Sequence, residues 1–550
     1  MRLKLNGHEI ECPGGAAWRQ ILDLLPEKEP REQPLGVTVQ GRTFSLAELA
    51  EGGADAHIIT YQDEEGRRIY ERSLQFLFLA ALKRECPEAK ARIEHSYGQG
   101  LYIQLTGVQA SPELAKRLEK QMRRLVQEDL PFVPSDATKA EATAYFARTG
   151  QTEKVRLLKY RSFDNFHFYS MDGMLDYFYG KMLPSTGCLR VFGVSFNLPG
   201  LVLRLPDVKD PSRAAPLKDS PKLMRTYVES ARWNDILGCT NAADLNEMIA
   251  KREFREFIRV NEALQERTVQ RIADQFAESG ARLICIAGPS SSGKTTFAHR
   301  LLIALRVLGM KPTKVSVDDY YLDRDQIPVG EDGQRDFERM DTLDVALLNE
   351  HLVKLLQGEE IDAPEFDFVA GVRSGKTHRM RVPDGEPVLI EGIHALNDGL
   401  TPSVPRDKKF KIYVSALTML NLDDHNRIRT TDARLLRRIV RDYQFRGTPP
   451  EETMAMWASV RRGEEAYIFP YQEEADVMFN TSLVYELPVM KKYVYPVLRA
   501  VPPESPHYTL ARRLVKFLNY IYTADIEDEI PPNSILREFI GGCCFYRMED

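Results

Sequence analysis

AGPSSSGKTTF, Ala287 to Phe297, follows the apolar run LICIA, Leu283 to Ala287, and leads into a helical pattern from Thr296 to Leu308. The run has the length and composition of a buried parallel strand. Gly288 and Gly293-Lys294-Thr295 keep the spacing G-x-x-x-x-G-K-T. Strand, loop and helix stand in the order this motif needs to wrap phosphates. Glycines let backbone N–H groups turn inward, and the helix N-terminus adds partial positive charge. The residues expected to cradle a nucleotide are Gly288, Ser290, Ser291, Ser292, Gly293, Lys294, Thr295 and Thr296. Lys294 is placed to bridge the β- and γ-phosphates, and Thr295 to hold Mg2+.

The loop alone does not name an acceptor, so the strands that follow matter. KVSVDDYY, Lys314 to Tyr321, reads as a strand ending in two carboxylates. In a doubly wound sheet such an end faces the ligand, where an aspartate can take a proton from an attacking hydroxyl. EPVLIEGIHALN, Glu386 to Asn397, is another buried strand, and its Glu391 stands where an acid approaches Mg2+ or its water. KFKIYVSA, Lys409 to Ala416, is one more strand. DARLLRRIVRDYQFRG carries Arg434, Arg437, Arg438, Arg441 and Arg446. The first four recur at three- and four-residue steps, which puts most of them on one helix face. Guanidinium forks suit phosphoryl oxygens, so this helix reads as a lid that excludes water.

Composition bounds the rest. A length of 550 residues predicts three or four domains. With 74 basic and 80 acidic residues the formal net charge is -6, which does not point to nucleic acid as the main partner. The start MRLKLNGHEIECPGG lacks the apolar core of a signal peptide, and no apolar run is long enough to span a bilayer; a cytoplasmic protein without membrane contact is expected. The seven cysteines form no C-x-x-C pair, and the vicinal Cys543 and Cys544 sit in a segment with no other metal or redox signal.

Residues 283–480 resemble uridine kinase, within the uridine kinase and phosphoribulokinase family. The resemblance runs through GPSSSGKTTF, VDDYY, DFERMDTLD, APEFDFVAGVR, VLIEGIHALN, RLLRRIVRDYQFRG and IFPYQEEADVMFN, in order and at matching spacing. It implies ATP or GTP as phosphoryl donor, Mg2+, and a nucleoside 5′-hydroxyl as acceptor. Asp318 matches the proposed base. Glu338 stands where the family has a ribose-binding aspartate. Phe366, Arg373 and Arg438 fall on the acceptor side, and Arg441 and Arg446 match lid arginines, giving Asp318, Lys294, Arg441 and Arg446 as the catalytic set. The base pocket departs from the family: Phe366 replaces a tyrosine, Gly371 a histidine and Met456 a glutamine. A phosphoribulokinase-like enzyme of another small hydroxyl substrate is therefore the alternative.

The front half carries a second resemblance. Residues 1–62 have the strand and helix order of a TGS module, a small β-grasp unit. DEEGRRIYERSLQFLFLAALKRECPEAKARIEHSYGQGLYIQL, Asp63 to Leu105, and LDYFYGKMLPSTG, Leu175 to Gly187, resemble the second N-terminal domain of threonyl-tRNA synthetases. The editing positions of that domain fall on Arg72, Phe76, Phe178 and Met182, none a good metal ligand or proton shuttle. Residues 63–225 are thus expected to be an α+β scaffold without editing hydrolysis. Residues 206–225 have linker composition, a long helical pattern runs from Asn241 to Glu278, and a helical tail follows Pro502. The expected organisation is 1–62, 63–225, a linker and helix over 226–280, a P-loop domain with a doubly wound parallel sheet over 281–500, and a tail over 501–550. RNA contact through residues 1–225 and self-association are the partners this front half suggests. A third functional reading follows, an RNA- or ribosome-linked regulator using nucleotide as a switch.

Overall fold

Five short strands build one all-parallel sheet, in the order Thr313–Ser316, Val388–Glu391, Leu283–Ala287, Lys409–Ser415, Val477–Asn480. The computed structural model describes residues 1–25, 32–161, 163–327, 338–367 and 370–545. The P-loop strand lies in the middle, and all five of its residues are buried. That explains why LICIA is apolar throughout: helices cover both faces of a parallel sheet, so its strands do not alternate. The P-loop, Asp318 and Glu391 all emerge at the carboxyl ends of these strands, which is where such sheets bind ligands. A two-stranded hairpin, Glu360–Asp367 with Val372–Arg381, projects beside the edge strand. The segment DFERMDTLD is described only from Glu338 onward, and in APEFDFVAGVR positions 368 and 369 lie outside the described residues.

The front half begins with a mixed five-stranded sheet over residues 2–59. Asn6-Gly7 and Gln40-Gly41, all at positive φ, turn its two hairpins, the geometry that two-residue hairpin loops require. Its core is Leu3, Leu5, Trp18, Ile21, Val37 and Ala56. Next come the helix Glu64–Glu85, a four-stranded antiparallel sheet, the helix Pro112–Glu128 and a three-stranded sheet over residues 133–176. At the positions matched to the synthetase editing motif, Phe76 stacks on Phe132 (6.0 Å between centroids) and meets Phe178 at 5.3 Å, and Met182 is fully buried. Arg72 donates to the carbonyls of Lys181 and Tyr179 (3.0 and 3.3 Å) and pairs with Glu65.

Two expectations change. The single helical pattern Asn241–Glu278 is two helices, Ala242–Ala250 and Phe254–Ser279, because Arg252 adopts φ +63° and breaks the hydrogen-bond ladder. Residues 206–225 have linker composition, yet Asp207, Ala215 and Ser220 are buried and a helix starts at Pro221.

Part of the front half, within residues 137–179, packs into the rear half's largest core, while the N-terminal sheet and the helix Glu64–Glu85 have cores of their own. Phe146, Phe168 and Tyr177 belong to the same buried cluster as Phe257, Ile284, Leu436 and Phe539. Tyr177 stacks on Tyr520 (6.0 Å, 7° between planes). Polar groups are buried at the same seam. Lys154 Nζ lies 2.5 Å from Asp176 with both side chains inaccessible. Burial alone would raise the Asp176 carboxyl, but the charges of Lys154 and His425 hold it below the usual range. No helix among the described residues is long and apolar enough to cross a membrane.

A fragment beginning near Asn261 would cut the helix Phe254–Ser279 and remove buried Phe254, Phe257 and Ile258 along with the whole front half. Each such side chain contributes about 1.5–3 kcal/mol by burial. The fragment is expected to aggregate or to melt far below the full chain. A monomeric fragment melting within a few degrees of the full chain in a calorimetric scan would contradict the shared core.

Candidate active site

The loop Gly288–Gly293 holds an unusual backbone for identifiable reasons. A side chain at Gly288 would meet the Val414 carbonyl at 1.9 Å, so only glycine lets the loop pass that close to the neighbouring strand. Ser291 and Gly293 adopt φ +57° and +82°, and Gly293 caps the helix Lys294–Val307. A non-glycine residue in this region is strained, and such strain persists only where its surroundings hold it. The Ser291 and Ser292 hydroxyls are buried and have no hydrogen-bond partner. Free donors in a cradle at a helix N-terminus suit an anion.

Around this loop lies a cavity of about 440 Å3. Its lining unites Ser290 to Thr295 with Asp318, Glu338, Phe366, Glu391, Arg441 and Arg446. Thr295 Oγ1 lies 3.0 Å from Glu391 Oε1, and Lys314 approaches the other Glu391 oxygen at 3.2 Å. A hydroxyl and a carboxylate side by side next to a phosphate cradle fit Mg2+, which takes oxygen ligands and keeps several waters.

Asp318 and its neighbour Asp319 diverge. The 3-10 turn Val317–Tyr320 directs Asp318 into the cavity, while Asp319 faces the opposite side beside Lys314 and His378. Asp318 is open to the cavity, but the enclosing protein desolvates it. That burial and the nearby Glu391 charge push its carboxyl up to about 6, against the attraction of Lys294.

The arginine helix, Thr430–Phe445, divides its residues between two tasks. Arg441 and Arg446 line the cavity and are positioned by Asp442, at 3.0 and 3.4 Å. Arg434 and Arg437 are instead buried behind the loop. Arg434 pairs with Glu464 and donates to the Ser290 carbonyl (3.0 Å), while Glu464 accepts from Ser290 N–H (3.0 Å). Arg437 pairs with Glu486 and donates to the Thr481 carbonyl (2.9 Å). They brace the loop, a role that helical spacing cannot separate from phosphate clamping.

The remaining expected residues are placed as follows. Arg438 donates to Ser290 Oγ (3.0 Å) and Asp442 (3.1 Å). Arg373 donates to Asp344 (3.0 Å) and the Tyr321 carbonyl (3.3 Å), tying the hairpin to the turn that carries Asp318. Neither is among the cavity's lining residues. Phe366 lines it and meets Tyr321 at 5.8 Å. Gly371 is packed against Arg324, and Met456 is 42% exposed, away from the lining.

Several lining residues escaped sequence reasoning, Arg324, Glu464 and Glu538 among them. Glu538, from the C-terminal helix Arg537–Ile540, lines the cavity and accepts from Thr296 Oγ1 (2.8 Å) and Thr296 N–H (3.4 Å). Thr296 is in the set expected to cradle a nucleotide, so a carboxylate already occupies donors assigned to phosphate. Ile535 of the same segment rests on Gly293. A lone glutamate in a helical tail carries no motif, so only the tertiary structure brings it here.

Comparison with known proteins adds the relatives. Residues 283–486 match the family model described as Phosphoribulokinase / Uridine kinase family. A uridine kinase of Deinococcus deserti is 31% identical over 197 residues, covering 36% of this chain and 86% of that protein. One of Chloroflexus aurantiacus is 31% identical over 199 residues, covering 36% and 85%. A threonine–tRNA ligase of Carboxydothermus hydrogenoformans matches the N-terminal region, 27% identical over 205 residues. That match covers 37% of this chain and 32% of the ligase, so the chain spans about a third of the synthetase's length.

Glu538 competes with anions for Thr296. Glu538→Gln is expected to tighten ADP or ATP binding several-fold by removing like-charge repulsion, read by calorimetric titration without any acceptor. Unchanged or weaker binding would mean that the carboxylate only caps the helix.

Proposed function

The chain belongs to the phosphoribulokinase and uridine kinase family, and on that premise we propose that it is an ATP-dependent nucleoside kinase that phosphorylates a 5′-hydroxyl. The observation that carries this reading is Asp318, a carboxylate poised near 6 in the same cavity as the phosphate loop. A base with that value is ionised at neutral pH and still holds a proton well enough to assist transfer. In this reading Asp318 takes the proton from the acceptor hydroxyl as its oxygen attacks the γ-phosphorus. The bond to the β,γ-bridging oxygen breaks, and ADP leaves. Lys294, Arg441 and Arg446 offset the charge on the transferring group, a preorganised stabilisation that supplies most of the catalysis in such sites. Thr295 and Glu391 would hold Mg2+, which neutralises the donor phosphates. Arg434 and Arg437 keep the loop in place and touch no reactant.

The acceptor is less tightly drawn than the reaction. Glu338 lines the cavity and suits ribose hydroxyls. Phe366 offers a ring face but no hydroxyl, and Gly371 no side chain, so hydrogen bonds that would read a pyrimidine are missing. A site without such groups discriminates weakly between bases. This favours a nucleoside kinase of broad or altered base preference, with a sugar-phosphate acceptor as the second reading. The front half fits a TGS-like β-grasp unit over 1–62 and a synthetase-like scaffold over 63–225. The closed Phe76, Phe178 and Met182 cluster supports a scaffold without editing chemistry.

ATP consumption by the full chain, screened against nucleosides and small sugars, is expected to rise with at least one nucleoside. No stimulation by any acceptor would sink the kinase reading. With the acceptor in hand, kcat/KM should fall about tenfold per pH unit below about 6 and level off above it, since Asp318 must lose its proton to act. Asp318→Asn should cost about 100- to 10,000-fold in kcat and abolish that pH limb, while nucleotide binding persists.

A further inference from the structure

A second cavity, of about 70 Å3, lies where the front half meets the start of the arginine helix. At roughly 10–15 Å3 per water-sized group it has room for about five such groups, the number of heavy atoms in a phosphate. Arg68 and Arg72 reach it from the helix Glu64–Glu85, Arg427 and Arg429 from the segment before Thr430, and Arg513 from the helix Tyr508–Leu518. Against five guanidiniums the wall carries two carboxylates, Glu71 and Asp432.

Those carboxylates are already shared. Glu71 serves Arg427 (3.1 Å) and Arg429 (2.8 Å), and Asp432 serves Arg68 (3.1 Å) and both terminal nitrogens of Arg513. Arg68 and Arg72 draw further on Glu64 and Glu65. The Arg427 side chain is only 7% exposed, and its Nε has no hydrogen-bond partner. A buried guanidinium nitrogen without an acceptor is costly. Burial also pulls Arg429 down to about 9 against the attraction of Glu71, with Arg68 and Arg427 adding repulsion. The arginine helix, 16 residues long, points its N-terminus at this place and receives no side-chain cap from Arg429. Counting Glu64 and Glu65, five guanidiniums share four carboxylates, which leaves one positive charge in excess and the Arg427 Nε without an acceptor.

We propose that this cavity is a second anion site that binds a phosphoryl dianion, either inorganic phosphate or the phosphate of a small monoester. The site is independent of the P-loop. It sits at the N-terminal end of a helix whose Arg434 and Arg438, about one and two turns further on, contact Ser290. Ligand here and nucleotide there therefore act on one rigid element, and each is expected to alter the other's affinity by the same factor.

The test is equilibrium dialysis of the full chain with labelled inorganic phosphate while excess Mg·ADP fills the P-loop. One saturable phosphate per chain is expected, displaced by sulfate but not by chloride at equal ionic strength. Arg427→Gln and Arg429→Gln should each weaken it at least tenfold. Tighter binding of methyl phosphate than of inorganic phosphate, weakened by the same two substitutions, would identify a monoester as the ligand; equal affinity would identify phosphate. No saturable uptake, or uptake undiminished in both variants, would overturn the proposal and leave the arginines as ties between the halves. Should the variants fail to fold, hydrogen exchange of the unaltered chain decides. Phosphate must slow exchange around residues 427–432, and no slowing overturns the site.

Discussion

The phosphate loop depends on two guanidiniums buried behind it. Arg434 lies over Trp457 (5.3 Å) and Arg437 over Phe539 (5.1 Å), and each is paired with its own carboxylate, Glu464 or Glu486. Burial would raise Glu464, but Arg434 and Arg461 hold it below its ordinary value, so the pair stays ionised. Removing one member of such a pair costs about 3–5 kcal/mol, because the other is left charged without a partner. The loop's left-handed Ser291 and Gly293 need that support. The braces come from the arginine helix, the following helix and the segment after the last strand, so the loop draws its support from elements well beyond it in the chain.

The same helix looks both ways. Its far end lines the active cavity through Arg441. Its near end is gripped by the front half, through Asp432 with Arg68 and through Arg427 and Arg429 with Glu71. The helix that braces the P-loop thus rests on residues more than three hundred positions before it in the chain, which gives the front half a physical claim on the site without supplying any reacting group.

How much could be read beforehand follows from how local each signal is. LICIA, the glycine spacing and the strand ends at Asp318 and Glu391 were legible because strand burial and loop closure are set within a few residues. The hairpin turns at Asn6-Gly7 and Gln40-Gly41 are set just as locally, although LGVTVQGRTFS reads as continuous strand until the structure divides it at Gln40-Gly41. The break at Arg252 was not, since an arginine at positive φ has no sequence mark. Helical spacing placed Arg434, Arg437, Arg438 and Arg441 on one helix but could not say which would face phosphate and which would be buried, because that depends on Glu464, Glu486 and Thr481 arriving from elsewhere. Glu538 and Ile535 were invisible for the same cause: their meaning lies in contacts more than two hundred residues away.

The continuous core has a consequence for inheritance. Phe146, Tyr177 and Leu436 belong to one packed cluster, although they come from stretches resembling two separate protein families, and Phe257 and Phe539 from outside both stretches complete it. Recombination that moved the P-loop segment alone would move it without the aromatic and aliphatic partners that complete its interior. The two halves are therefore not interchangeable modules in this chain. A change of volume on one side of the seam must be matched on the other, so the packed cluster constrains both halves together.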